Sequence, residues 1–429
     1  MQMMRQFSRQ LLVALSLSCA VLPAMMSDGQ AQTYSAAIQS KSEALFKLWL
    51  ANDLWPQAQQ RGISRGVFDQ ALSGISLNWK LPDLVPPNTK PQTPKQQTQA
   101  EFGSPGNYFK SSTVDSVVSN GKARLNSHKK LLAKIERDYG VPAGIVVAIW
   151  GRESAFGTVK IPYNAFEVLA TKAFMATRKD MFRDELLAAL EIVQKGYMDS
   201  GHLKSSWAGA LGQPQFMPTS YLQHAVDYDG NGKRDIWNSV PDTLASIAAY
   251  LQHFGWQRGR DWGFEVTVPQ SVSCALEGPD QGKLFKDWAA MGIVRVNGQS
   301  FPAQEMAREG FLLMPAGRHG PAFIVTPNFY VLKNYNMSDL YALFIGHVAD
   351  RMTGLVGSGG FQNTWGNVGG LYRSDVAAMQ LRLQKQGYDV GKPDGLAGFK
   401  TRRSLGIWQQ KSGQPATCFP DKALIKVIR

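Results

Sequence analysis

The sequence predicts a mainly helical chain of α+β class: a helical body with a small inserted β-sheet, followed by a short C-terminal helical module. Three observations carry that expectation. Apolar residues recur near a 3.6-residue period over much of residues 34–254. Short Val- and Phe-rich runs bounded by Pro and Gly interrupt that pattern between residues 264 and 335. Seven glycines among residues 354–370 then set the C-terminal residues apart from the body. With 429 residues, 44% apolar and 18% charged, the chain has globular composition and room for two or three domains, which excludes a disordered, collagen-like or coiled-coil protein.

At the N-terminus, Arg5 and Arg9 precede the apolar run Leu11–Leu22, which is short for a bilayer span. Gly29 and Ala31 stand at −3 and −1 of a cut before Gln32, so residues 1–31 are expected to form a secretory signal, an uncleaved anchor being the alternative. Ser16, three residues before Cys19, argues against a lipidation box. Removing the segment takes away two Arg and one Asp, and the formal charge falls from +13 to +12. So basic a protein favours an anionic partner, and export points to an envelope polymer or the membrane surface rather than nucleic acid. Cys274 and Cys418 remain, 144 residues apart. The sequence leaves their pairing open.

Residues 32–80 form an N-terminal helical segment: Leu45, Leu48, Trp49 and Leu54 share a helical face, and Gly62–Leu72 reads as a second helix. Pro82, Pro86, Pro87, Pro91, Pro94 and Pro105 make residues 81–107 an extended connector. Residues 108–353 are expected to be the catalytic domain. Its helices are Leu125–Tyr139, stopped by Gly140, a helix opened by Pro142, Asp180–Tyr197, Pro241–Phe254 and Asn336–Met352. The small sheet draws on Phe264–Pro269, Phe311–Pro315 and Ala322–Leu332. Residues 354–370 are a flexible linker by composition, so residues 371–429 are expected to be tethered rather than packed onto the body.

Three stretches carry chemistry. In Val146–Gly157 (VVAIWGRESAFG), Ile145, Ile149 and Glu153 are four apart and lie on one helical face, which Phe156 joins. Glu153 is therefore a carboxyl near the C-terminal end of an apolar helix, with Gly157 as the expected cap. Burial and the negative helix end both disfavour its charged form, as a general acid working near neutral pH requires. A structural glutamate bonded to the backbone or to Arg152 satisfies the same spacing. Glu167 and Glu185, the nearby carboxyls, read as solvated surface. Ser206–Tyr221 (SWAGALGQPQFMPTSY) makes a tight wall of Gly, Pro, Gln and aromatic residues that suits neutral sugars and amides, or a buried structural loop. Asp227–Asn238 (DYDGNGKRDIWN) places Asp227, Asp229, Asn231, Asp235 and Asn238 at positions 1, 3, 5, 9 and 12 of a loop that turns at Gly232, with the Lys233 carbonyl at position 7. That pattern fits a structural Ca²⁺ or Na⁺, weakened because Asn238 cannot be bidentate; an Asx/Gly-rich turn without metal is the alternative. The six histidines form no His-Glu-x-x-His motif, and neither a Gly-rich phosphate loop nor a Gly-x-Ser-x-Gly elbow occurs.

Taken in order, GRESAFG, SWAGALGQPQFMPTSY, DYDGNGKRDIWN, SIAAYLQHFGW and His319–Leu343 resemble the membrane-bound lytic murein transglycosylase B family over roughly residues 36–352. The resemblance implies a lysozyme-like fold and cleavage of peptidoglycan between N-acetylmuramic acid and N-acetylglucosamine, with no required cofactor. It implies that Glu153 is the single catalytic acid/base and that Ser206, Gln215, Tyr250, Tyr335 and Asn336 line the cleft, Asn336 orienting the muramyl N-acetyl group. Arg178 and Lys179 fall where the family has an Arg pair on the peptide side; Lys179 departs from it and offers a point charge rather than a fork. Tyr108 matches a further cleft tyrosine by its spacing before Tyr139-Gly140-Val141.

Residues 371–429 resemble a three-helix peptidoglycan-binding domain through Gln380, Leu383, Gly387, Tyr388, Asp394, Gly395, Gly398, Thr401, Trp408 and Gln409, with Leu381, Leu383, Leu405 and Ile407 as expected core. A helical protein-interaction domain is the alternative. The whole chain is thus expected to be a periplasmic lytic transglycosylase that forms 1,6-anhydro ends. A hydrolytic muramidase and a non-catalytic wall-binding protein are the rivals. Its expected partners are peptidoglycan glycan strands and, beyond them, other cell-wall enzymes, with no nucleic acid and a monomeric state.

Overall fold

The computed structural model describes residues 34–90, 100–355, 359–366, 368 and 371–428. The expected signal segment, residues 1–31, lies outside the described residues, as do residues 91–99 of the proline-rich connector. The described chain divides into two compact units, each discontinuous in sequence: residues 34–90 with 123–253, and residues 100–122 with 254–428.

The first unit is helical. Ala36–Trp49, Trp55–Gln60 and Arg65–Leu72 lead into Lys129–Tyr139, Ala143–Ser154, Ala165–Met175, Lys179–Gln194, Pro218–His224 and Val240–His253. A two-stranded antiparallel ribbon pairs Tyr163 with Ser205 and Asn164 with Lys204. Ala143–Ser154 is apolar almost throughout and forms the centre: Val146, Val147, Ala148 and Ile149 are fully buried, and the helices Lys129–Tyr139 and Val240–His253 pack against it. The expected Leu125–Tyr139 helix proves to be two, Ser111–Ser127 and Lys129–Tyr139, broken at His128, whose backbone is non-helical (φ −109°, ψ 19°). Gly140 ends the second in the left-handed region (φ 76°), as its sequence position implies. The start of the connector is less free than its prolines suggest. Leu81 and Leu84 are buried, and the Val85 N–H donates to the Met175 carbonyl at 2.5 Å.

In the second unit a five-stranded antiparallel sheet runs in the order Lys283–Leu284, Glu309–Leu313, Ala322–Val325, Gly263–Thr267, Val294–Arg295. Register is fixed by apolar pairs across the middle, Phe264 opposite Ile324 and Leu312 opposite Ile324. The run expected to continue as strand through Leu332 turns helical at Pro327. Thr326 caps Pro327–Tyr335 by accepting from the Asn328 N–H at 3.2 Å, and a proline in the first turn costs the helix no bond. Asp339–Thr353 follows, capped by Ser338 and closed by Gly354 (φ 80°).

The C-terminal module has three helices, Arg373–Lys385, Phe399–Lys411 and Lys422–Val427, around Val376, Met379, Leu383, Leu405 and Leu424. Leu405 and Leu383 are core as expected, but Leu381 is 48% exposed and Ile407 half-buried. The inward face of the first helix is Val376-Met379-Gln380-Leu383, and Leu381 lies off that stripe.

The expectation of a loosely tethered module fails. Cys274, beside the sheet, is disulfide-bonded to Cys418 of the module, and both are fully buried. Arg402 forks onto Glu277, with Nε to Oε2 at 3.0 Å and Nη2 to Oε1 at 2.6 Å, both side chains essentially buried. Arg403 pairs with Asp280, and the Arg318 N–H donates to the Thr417 carbonyl at 2.9 Å. Residues 361–365, within the glycine-rich stretch, are themselves pinned. Trp365 stacks on Phe109 at 5.3 Å, Phe361 packs on Phe323 at 5.0 Å, and the N–H groups of Gln362 and Asn363 donate to the Glu265 carboxylate at 3.0 and 2.8 Å. The glycines of this stretch predict freedom, but at residues 361–365 two half-buried aromatics four residues apart pack against the body.

Candidate active site

Glu153 is the penultimate residue of Ala143–Ser154 and is 6% exposed. The helix is closed by Ala155 in the left-handed region (φ 46°), not by Gly157 as expected. Phe156 (φ 61°) and Gly157 (φ 77°) follow in the same region. Non-glycine residues held there store about 1–3 kcal/mol of strain each, and such strain collects at functional sites. Gly157 has no alternative, because a Cβ there would stand 2.4 Å from Gln213 Oε1.

Gln213 fixes this corner. Its Oε1 accepts from Trp150 Nε1 at 2.7 Å, one helical turn before Glu153; its Nε2 donates to the Trp237 carbonyl at 2.8 Å, and its backbone N–H to Ile236 at 2.8 Å. One side chain therefore joins the Glu153 helix, the Ser206–Phe216 loop and the acidic loop. Sequence reading missed it, although its place in Gly-Gln-Pro-Gln, directly after a glycine, was the available signal.

The Ser206–Phe216 loop is a tight double turn. Leu211 bridges to Ser205 and to Phe216, while the Ser206 hydroxyl accepts from the Ala210 N–H at 3.2 Å. Ser206 is buried. Gln215 also adopts a left-handed backbone (φ 54°); its Nε2 donates to Gly212 at 2.8 Å, and its buried Oε1 accepts from nothing among the described residues. That oxygen retains capacity to accept an N–H or O–H. Tyr250, in Val240–His253, is buried with its ring 5.5 Å from Phe216 and 4.9 Å from His224. Arg178 precedes Lys179–Gln194, half-buried over Phe182 at 5.8 Å, and Lys179 is exposed beside it.

Of the remaining sequence-predicted residues, Tyr108, Tyr335 and Asn336 belong to the other unit. Tyr108 lies on the 3₁₀ turn Pro105–Phe109 with its ring 5.9 Å from Phe344. Tyr335 ends its helix parallel to Tyr341 at 6.4 Å, and Asn336 Oδ1 accepts from the Ser338 N–H at 3.1 Å. Glu185 is not the solvated carboxylate expected. It is 8% exposed and caps Pro218–His224, accepting from the Thr219 N–H at 2.9 Å and hydroxyl at 2.8 Å. Glu167 is occupied by Asn78 Nδ2 at 2.5 Å.

The acidic loop curls around its own backbone. Asp227 accepts from the N–H groups of Gly230, Asn231 and Gly232 at 2.9, 3.1 and 2.7 Å, and Asn231 from that of Lys233 at 2.9 Å. Asn238 Nδ2 donates to Asp235 at 3.1 Å. The structure adds Asp242, fully buried, which accepts from the N–H groups of Tyr228 and Asp235 at 2.8 and 2.9 Å. Carboxylate oxygens of Asp227, Asp229 and Asp242 lie within 4.8 Å of one another. This all-oxygen set suits a hard cation such as Ca²⁺ or Na⁺. Asp242 falls beyond the twelve-residue loop pattern, so the pattern could not reveal it.

His224 makes a testable contribution to stability here. Burial and the neighbouring His253 push it down to about 4, against an ordinary value near 6.5. A neutral His224 in the fold binds fewer protons than the unfolded chain between those values. Its contribution is whole above about 6.5 and is lost as pH falls through 4. In His224→Gln the melting temperature is expected to fall less between pH 7 and pH 4 than in the parent; equal falls would contradict the assignment.

A buried carboxyl at the end of an apolar helix, that helix tied through Trp150 and Gln213 to a Gln- and aromatic-rich loop in a lysozyme-like helical fold, fits an enzyme of glycan cleavage. The Transglycosylase SLT domain family matches residues 45–350, most of the chain, and the protein belongs to that family. The peptidoglycan binding domain family matches residues 372–428. Among solved structures, the chain is similar to SltB3 of Pseudomonas aeruginosa in complex with NAG-anhNAM-pentapeptide, with 36% identity, TM-score 0.78, and coverage of 90% of this chain and 99% of that one. It is also similar to the Escherichia coli lytic transglycosylase Slt35 in complex with calcium, with 28% identity, TM-score 0.51, and coverage of 60% and 80%. The membrane-bound lytic murein transglycosylase B of Escherichia coli K12 is 29% identical over 312 residues, 68% of this chain and 81% of that protein. The protein is a peptidoglycan lytic transglycosylase, cleaving the glycan strand between N-acetylmuramic acid and N-acetylglucosamine and leaving 1,6-anhydro ends.

Proposed function

We propose that Glu153 performs both proton transfers of this reaction. The observation that carries the proposal is the Glu153 carboxyl, 6% exposed at the strained end of the apolar helix Ala143–Ser154. Most glycosidases use two carboxylates. Here Glu153 protonates the bridging oxygen while the substrate's N-acetyl group stabilises the cationic centre. The same residue, now a base, takes the proton of the muramyl C6 hydroxyl, which closes the anhydro ring. The attack is intramolecular, which gives it an advantage over bulk water. Ser206, Gln215, Tyr250, Tyr108, Tyr335 and Asn336 bind the glycan, and Arg178 and Lys179 its acidic peptide side. Mass spectrometry of muropeptides released from purified sacculi tests this: anhydro ends are expected, and reducing ends would mark a hydrolase.

We infer that Asp227, Asp229, Asn231, the Lys233 carbonyl, Asp235 and Asn238, joined by Asp242, hold a structural Ca²⁺ or Na⁺, as a calcium complex of Slt35 supports. Through Ile236, Trp237 and Gln213 the loop braces the Glu153 helix, so the cation stabilises the site without entering the chemistry. Calcium at about a hundred times its Kd is expected to add roughly 2.7 kcal/mol of stability, read as a higher melting temperature. Asp227→Ala should erase that shift, and a melting curve indifferent to Ca²⁺ and Na⁺ would return the loop to a plain turn.

The site of action we propose is the periplasm. The Arg5/Arg9 and Leu11–Leu22 pattern supports export, and the buried Cys274–Cys418 bond suits an oxidising compartment. Among the described residues no helix is long and apolar enough to cross a membrane.

A further inference from the structure

We propose that Arg402 of the C-terminal module is a positioning residue for the Tyr335–Asp339 segment, so that the module shapes glycan binding from inside the fold. The inference rests on the assignment of Asn336 to the glycan. Asp339 is the first residue of its helix, three residues after Asn336, and is 7% exposed. Its backbone N–H donates to Glu101 Oε1 at 2.8 Å, its Oδ1 pairs with Lys333 Nζ at 2.5 Å, and its Oδ2 accepts from Arg402 Nη2 at 3.1 Å. Lys333 lies on the helix that ends at Tyr335, so the Lys333–Asp339 pair closes the turn holding Asn336 and Ser338. Arg402 holds that turn from the module side.

The guanidinium is itself over-determined. Glu277 receives two of its N–H groups, and Nη1 donates to the Ala397 carbonyl at 2.9 Å, leaving Arg402 1% exposed. Burial works against the Asp339 charge, but the Lys333 and Arg402 cations outweigh it and hold the carboxyl below its usual range. A planar fork that reaches two carboxylates at once fixes direction as well as charge, which lysine cannot do. Glu277 serves as an internal control. It shares Arg402 and also accepts from the Met314 N–H at 2.9 Å, a bond that involves no residue of the Tyr335–Asp339 segment.

The test is steady-state kinetics of the full chain on soluble, uncross-linked glycan strands, at a temperature where circular dichroism shows each variant folded. Asp339→Asn, which leaves Arg402 paired to Glu277, and Arg402→Lys are each expected to raise KM by roughly tenfold, part of the hundredfold that misplacement by about 1 Å can cost. Glu277→Gln is expected to lower the melting temperature and leave KM unchanged. Asn336→Ala, run alongside, must raise KM. If it does and Asp339→Asn and Arg402→Lys match the parent, the positioning role is overturned while the cleft assignment stands. If KM follows melting temperature across all the variants, Glu277→Gln included, Arg402 is structural only and the proposal fails. If Asn336→Ala leaves KM unchanged, the cleft assignment fails and the inference with it.

Discussion

Glu153→Gln is expected to lower muropeptide release from purified sacculi by about 10²–10⁴-fold, the usual loss when one proton-transfer group is removed. Gln keeps the shape of the side chain but can neither give up a proton to the bridging oxygen nor accept one from the C6 hydroxyl. Both steps fall to one residue, so the variant should sit toward the larger loss, with its melting temperature retained. Glu167 holds Asn78 Nδ2, and Glu185 caps Pro218–His224 through Thr219. Substantial activity in the variant would move the chemistry to another group and remove the basis of the mechanism.

The second large effect concerns the C-terminal module. Ending the chain after Gly354 removes Arg402 and Cys418 together. It strands Glu277, fully buried, without its counter-charge, and uncovers the sheet-side core around Val272, Cys274 and Leu276. Removing one partner of a buried ion pair alone costs about 3–5 kcal/mol. A domain stability of roughly 5–15 kcal/mol leaves little after that and the lost burial. The truncated chain is therefore expected to be insoluble, or to melt far below the full chain and to lose activity even on soluble fragments. A truncated protein that melts normally and cleaves soluble glycan would show that the module is only a wall anchor.

Much of the fold is legible in the sequence because its signals are local. The apolar period of Ala143–Ser154, Gly140 as a helix stop, and the Val- and Phe-rich strands all declare themselves within a few residues. What the sequence hides depends on distant partners. The Gly354–Gly370 composition argues for freedom, and at residues 361–365 only the tertiary positions of Phe109, Phe323 and Glu265 reverse it. Glu185 reads as surface until Thr219, on a helix start 34 residues later, is seen to need its oxygens. In the site, Glu153 could be singled out because an acid at the end of an apolar stripe is unusual. Gln213 is marked only by its place in Gly-Gln-Pro-Gln, because it works through side-chain bonds across 63 residues, and Asp242 is not marked at all, because it lies past the end of its motif. The Cys274–Cys418 pairing was open for the same reason: spacing says nothing about which surfaces meet.

Digestion of purified sacculi in water enriched in heavy oxygen tests the central claim most directly, because ring closure by the C6 hydroxyl consumes no water. The released muramyl ends are expected to be anhydro and to carry no heavy oxygen above the unlabelled control. Heavy oxygen at C1 of the muramyl residue at initial rates would mean that water attacks the cationic centre, and would contradict the single-carboxylate, water-free route through Glu153.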